Sequence, residues 1–152
     1  MTSLAGRGGP KTRHGSVRVL VVDDSDQFTG LVSAWLEDEG YAVVTAASGR
    51  QALDAAAVYS PDIVLLDLMM PPPDGFEVCE ALREHAPPQI ILMTGLPDPD
   101  HARRALELGV VALLRKPFTR EAVLDAVSTA AERCRRDPLA KLRWHMGMHP
   151  RA

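Results

Sequence analysis

Three aspartates in this sequence stand at the ends of short apolar runs. Val17-Arg18-Val19-Leu20-Val21-Val22 leads directly into Asp23-Asp24, and Ile63-Val64-Leu65-Leu66 leads into Asp67. Two further runs close on other groups: Ile90-Ile91-Leu92-Met93 on Thr94-Gly95, and Val110-Val111-Ala112-Leu113-Leu114, one residue later, on Lys116-Pro117. Clustered carboxylates repel one another, and a bound cation removes that cost. Ligands that are all oxygen select a hard ion, Mg²⁺ or Mn²⁺, and Mg²⁺ in particular favours one or two carboxylates, several waters and a phosphoryl oxygen. The Lys116 ammonium and the Thr94 hydroxyl suit the remaining phosphoryl oxygens. A carboxylate that attacks phosphorus gives an acyl phosphate, and Asp67, alone at the end of the central run, is the best-placed nucleophile. Each residue also has a plainer use. Asp23-Asp24 ahead of Ser25 would cap a helix, Asp74-Gly75 would turn the chain, and a Lys-Pro pair arises by chance. Their joint arrival at the ends of apolar runs favours the chemistry.

Periodicity supplies the elements that would position these groups. Nearly continuous apolar runs predict strands over Val17–Val22, Tyr41–Thr45, Asp62–Leu66, Gln89–Met93 and Val110–Leu114, each buried on both faces as in a parallel sheet. Helical spacing fills the gaps: Gln27–Glu39, with Phe28, Leu31, Val32, Trp35 and Leu36, stopped by Gly40; Gly49–Tyr59 behind Ser48; Phe76–His85; Asp98–Leu108 before Gly109; and Arg120–Arg136 behind Thr119. Five βα units imply an α/β fold, a flavodoxin-like (βα)5 doubly wound parallel sheet with strand order 2-1-3-4-5. In such a sheet the site lies beyond the C-terminal strand ends, between strands 1 and 3. Those are the strands that carry Asp23, Asp24 and Asp67.

A chain of 152 residues, 46% hydrophobic and 24% charged, has enough apolar material for one core. Residues 1–16, rich in Gly, Arg, Lys and Ser, read as a flexible arm; 17–136 as the domain; and 137–152 as a tail. A net charge of −3 argues against general nucleic-acid binding, and the tail is too short for a DNA-binding output domain. That tail has a basic, aromatic flavour, but it reads as a frayed terminus in preference to a docking segment or a copper site built from His145, Met146, Met148 and His149. No apolar run approaches the roughly 20 residues that span a bilayer, and Met1–Arg7 lacks the apolar core of a signal peptide. With Cys79 and Cys134 far apart, reduced thiols in a cytoplasmic protein are expected. Cys79 reads as a helix packing residue, and His85 and His101 as solvated.

Taken together, Val19-Leu20-Val21-Val22-Asp23-Asp24, Leu65-Leu66-Asp67-Leu68-Met69-Met70-Pro71, Asp74-Gly75, Met93-Thr94-Gly95 and Lys116-Pro117-Phe118 are very specific. Over about residues 17–136 the chain resembles the receiver domain of bacterial two-component response regulators of the chemotaxis-regulator kind. The resemblance implies a phosphoprotein of a phosphorelay: a signalling switch, not an enzyme, that catalyses only its own phosphorylation and dephosphorylation. Asp67 would accept a phosphoryl group from a sensor histidine kinase or a phosphotransfer protein. Asp24 and Asp67 would hold Mg²⁺ (or Mn²⁺) directly, with the Met69 backbone carbonyl as a third ligand and Asp23 acting through water. Lys116 would pair with the acceptor carboxylate and then with the phosphoryl group, Thr94 would move toward it, and Lys116-Pro117 would be cis. Output would pass to a downstream protein target, or to a second copy, through the face formed by the fourth helix, fifth strand and fifth helix.

One departure from the family pattern bears on output. Leu113 stands where the family commonly has an aromatic rotamer switch. In that family the side chains two positions after the aspartate and two after the threonine flank the path of the hydrolytic water. Here they are Met69 and Leu96, which can neither position nor activate it, so slow loss of the phosphoryl group is expected. A Mg²⁺-dependent phosphohydrolase with an aspartyl nucleophile is a competing reading, disfavoured because Met69 stands where such enzymes place a second acid. A fold-only interaction module is disfavoured by the retained Asp23, Asp24, Asp67, Thr94 and Lys116.

Overall fold

Ile63, Val64, Leu65 and Leu66 alternate between the two faces of the pleat, yet all four are fully buried, so the strand that carries them must be covered on both sides. In the computed structural model, which describes residues 17–84, 87–96, 98–137, 139 and 146, that covering is helical. Strands β1 (Arg18–Val22), β2 (Ala42–Ala46), β3 (Ile63–Asp67), β4 (Gln89–Thr94) and β5 (Ala112–Arg115) alternate with helices α1 (Asp26–Asp38), α2 (Gly49–Tyr59), α3 (Gly75–Leu82), α4 (Pro99–Glu107) and α5 (Arg120–Arg136). The strands form one parallel sheet in the order β2-β1-β3-β4-β5, as the sequence predicts.

The pleat divides the core in two. Val19, Val21, Ile63, Leu65, Ile91 and Met93 pack with Val32 and Leu36 of α1 and Val123, Val127 and Ala130 of α5. Leu20, Val22, Val64, Leu66, Ile90 and Leu92 pack against α2, α3 and α4 through Ala52, Phe76, Val78, Cys79 and Ala105. Each helix starts on a side-chain cap: Ser25, Ser48, Asp74, Asp98 and Thr119 each accept an N–H of the first turn. At α3 the cap is reciprocal, since Glu77 in turn accepts the Asp74 N–H at 2.8 Å. Asp74-Gly75 is therefore a helix start and not a free turn. Gly40 and Gly109 leave α1 and α4 with positive φ, 94° and 74°, which glycine adopts without strain.

Several boundaries differ from the periodicity. Tyr41 does not open β2, because its N–H still donates to Leu36 O at the exit of α1. Likewise Val110 donates to Ala105 O, and β5 begins only at Ala112. Helix α3 stops at Leu82. Leu31, assigned to the apolar stripe of α1, is 51% exposed. His101 is not simply solvated: its ring stands edge-on to Phe76 at 5.6 Å. His85, the arm 1–16 and the tail beyond Asp137, apart from Leu139 and Met146, lie outside the described residues. Among the described residues no helix is long and apolar enough to cross a membrane.

Candidate functional site

Strand register brings the polar run ends together. Val22 is level with Leu66, so Asp23 and Asp67 stand side by side one residue further on, about 4.8 Å apart as adjacent strands are. Met93 is level with Asp67 and Arg115 with Thr94, which places Thr94 and Lys116 at the same end of the sheet. One carboxylate oxygen from each of Asp23, Asp24 and Asp67 lies within 4.8 Å of the others. Asp23 and Asp67 are buried and Asp24 is exposed. The cluster is thus two sunken acids with a third at the rim. Three oxygens converging in this way suit a small divalent cation reached from solvent.

Burial holds the carboxyl of Asp67 above its ordinary ionisation range, and the charge of Asp23 pushes in the same direction. The Lys116 ammonium and the Met69 N–H oppose them, while Asp24 adds a smaller upward push. The Met69 N–H donates to Asp67 Oδ1 at 3.2 Å. Lys116 Nζ donates to Asp23 Oδ2 at 2.7 Å and stands 3.6 Å from Asp67 Oδ2. Its shortest partner is therefore Asp23, where the resemblance implied the acceptor carboxylate. Thr94, buried, turns its hydroxyl back on its own loop, donating to Leu96 O and accepting from Leu96 N–H, both at 3.1 Å. Lys116-Pro117 is cis, as expected, and Pro72-Pro73 is cis as well.

The Met69 and Leu96 side chains at the rim are 49% and 57% exposed. Gly75 brings the start of α3 against the strand end: its N–H donates to Leu68 O at 3.3 Å, and a Cβ there would stand 2.6 Å from the Asp67 carbonyl oxygen. Leu113 is half-buried and packs with the α2–α3–α4 cluster, facing away from the Asp67 side chain.

The sequence did not single out Phe28 for this site, and named Phe118 only within the Lys116-Pro117-Phe118 motif. Phe28, which read only as a core residue of α1, lies with its ring centroid 4.5 Å from Lys116 Nζ. Phe118 meets Phe28 edge-on at 5.6 Å. The available signal was an aromatic in the first turn of the helix that follows the acid pair, on the sheet face shared by the odd-numbered strand positions of β1 and β3.

The family model of the response regulator receiver domain matches residues 19–128, and the chain belongs to that family. It is 40% identical over 103 residues to the alkaline phosphatase synthesis transcriptional regulatory protein PhoP of Bacillus subtilis, a match that covers 67% of this chain and 43% of PhoP. It is 43% identical over 108 residues to the response regulator PleD of Caulobacter vibrioides, covering 68% of this chain and 23% of PleD. Among solved structures, the chemotaxis response regulator CheY4 of Vibrio cholerae superposes with a TM-score of 0.70 at 34% identity, over 75% of this chain and 98% of CheY4. The chain thus spans less than half the length of PhoP and PleD, but matches nearly all of the CheY4 chain.

Proposed function

We propose that Asp67 is the phosphoacceptor of a two-component relay and that a sensor histidine kinase or phosphotransfer protein supplies the phosphoryl group. The observation that carries this reading is the convergence of Asp23, Asp24 and Asp67 within 4.8 Å, with the Lys116 ammonium against two of them. Mg²⁺, or Mn²⁺, would be held by Asp23, Asp24, Asp67 and the Met69 backbone carbonyl, and would supply charge neutralisation for a phosphoryl oxygen. An Asp67 carboxylate oxygen attacks phosphorus, the bond from phosphorus to the donor's leaving group breaks, and the leaving group departs with the electron pair. Lys116 is within reach of the oxygens that gain charge, and Thr94 can supply a hydroxyl donor only after breaking its bonds to Leu96. Residues 17–136 act as the unit, in the cytoplasm. The change of state passes to a protein target or a second copy through α4, β5 and α5.

The apolar Met69 and Leu96 offer no group to activate water, which favours a long-lived acyl phosphate. Incubation with acetyl phosphate and Mg²⁺ followed by intact-mass measurement should show one phosphoryl adduct, absent in Asp67→Asn and stable for minutes after donor removal. An adduct on the Asn variant would place the nucleophile elsewhere. Loss within seconds would sink the lifetime argument.

A further inference from the structure

Lys116 has three N–H groups and, in this fold, three contacts of different kinds. Two are carboxylates: Asp23 at 2.7 Å and Asp67 at 3.6 Å. The third is the ring of Phe28, 4.5 Å from Nζ to the centroid. An aromatic face carries negative potential and attracts an ammonium, more strongly where water is excluded, and the Lys116 side chain is only 26% exposed.

The ring is itself fixed from two directions. Phe118, directly after the Lys116-Pro117 pair, abuts it edge-on with 71° between the planes. Its backbone is held by the cap of α1, where the Phe28 N–H donates to Ser25 Oγ at 3.3 Å, and the Ser25 N–H donates to Asp23 Oδ1 at 2.9 Å. The contacts close a loop: Asp23 to Ser25, Ser25 to Phe28, Phe28 to Lys116, and Lys116 back to Asp23.

We propose that Phe28 is a positioning residue for Lys116, its ring face holding the ammonium beside Asp67 by a contact additional to the Asp23 ion pair. The distinction matters because Asp23 belongs to the acidic cluster, so its bond to Lys116 is one that a cation would weaken. The ring bears no net charge and competes with nothing for the metal. An aliphatic side chain of similar bulk would fill the space and leave Nζ free to follow Asp23 or to turn to solvent. The inference rests on Asp67 being the phosphoacceptor.

The test compares the wild-type chain with Phe28→Leu, Phe28→Trp and a chain carrying pentafluorophenylalanine at 28, which keeps the ring's outline while reversing the potential of its face. The first readout is the NMR position of the Lys116 ε-methylene protons in the metal-free chain. They should lie upfield under the ring current in wild type and Phe28→Trp, and return toward the ordinary lysine position in Phe28→Leu. The second is the rate of adduct formation with acetyl phosphate at saturating Mg²⁺. It should fall about three- to tenfold in Phe28→Leu and in the fluorinated chain, and be retained in Phe28→Trp. A fluorinated chain that reacts at the wild-type rate, or wild-type ε-methylene signals without an upfield shift, overturns the proposal. Wild-type protein that forms no adduct at all overturns the phosphoacceptor reading and this inference with it, whereas a labelled wild type with indifferent variants overturns this inference alone.

Discussion

Asp67 is a buried carboxylate whose strongest perturbation is loss of water and whose next is another carboxylate, so the folded chain holds it in a state it would rather not charge. The sign of the consequence can be worked out. In the unfolded chain Asp67 ionises near its ordinary 3.8, and in the folded chain at a higher pH. Between those points the native state still binds a proton that the unfolded state has released, so raising the pH favours unfolding. The advantage that protonated Asp67 gives the fold is complete below the unfolded value and gone above the folded one. Asp67→Asn keeps the shape and cannot ionise. In chelator-treated protein it should therefore unfold at higher urea than wild type at about pH 7, with the gain shrinking toward zero at about pH 3. An equal gain at both pH values would mean that charge is not its cause. Much of this residue-level picture was legible, because β3 puts its apolar stretch and Asp67 next to each other in the chain. The partner of Lys116 was not, since Asp23 and Asp67 sit on neighbouring strands at one level of the sheet, and only their distances of 2.7 and 3.6 Å rank them.

At the scale of elements, the loop from Asp67 to α3 is held by its ends. Leu68 N–H donates to Met93 O at 2.8 Å and Gly75 N–H returns to Leu68 O, while the Asp74–Glu77 capping box sets where the helix starts. Gly75 matters here for the space it leaves, since a Cβ would strike the Asp67 carbonyl and stand 2.7 Å from Leu68 Cα. Both atoms are backbone and cannot rotate away. Gly75→Ala should cost about 1–3 kcal/mol of stability, as overpacking does, and should also slow adduct formation by displacing the strand end that carries Asp67. Urea unfolding and the acetyl phosphate reaction read the two effects separately. A variant as stable as wild type would show that the loop relaxes at no cost. The sequence marked Asp74-Gly75 as a turn because that pair is a common turn former. It could not show that the glycine abuts Asp67, a contact set by how α3 docks. Phe28 was missed for a related reason: the apolar stripe of α1 does not reveal which of its members meet the core and which meet the lysine. Leu31 erred in the other direction, apolar by pattern and exposed in the fold.

At the scale of the whole molecule, topology does most of the positioning. Parallel strands buried on both faces give continuous apolar runs that are plain in a single sequence, and the order β2-β1-β3-β4-β5 puts β1 and β3 side by side at the switch point. The same arrangement would confine cation binding to the folded state, because the unfolded chain does not hold Asp23, Asp24 and Asp67 together. Mg²⁺ at ten times its dissociation constant should then stabilise the wild-type chain by about 1.4 kcal/mol, which for a domain of this size raises the melting temperature by about 3–6 °C. Three variants divide that shift. Asp24→Ala should remove most of it, having lost a rim ligand that faces solvent. Asp67→Asn, stabilised without metal, should gain much less from adding it. Asp23→Ala should lose less than Asp24→Ala if Asp23 acts through water, and it also frees the Lys116 ammonium from its 2.7 Å bond and leaves it to Asp67. Calorimetry of the four chains with and without Mg²⁺ measures each difference. A wild-type melting temperature that ignores millimolar Mg²⁺ would count against a cation site among these carboxylates, and a larger loss in Asp23→Ala than in Asp24→Ala would make the buried aspartate, not the exposed one, the principal ligand.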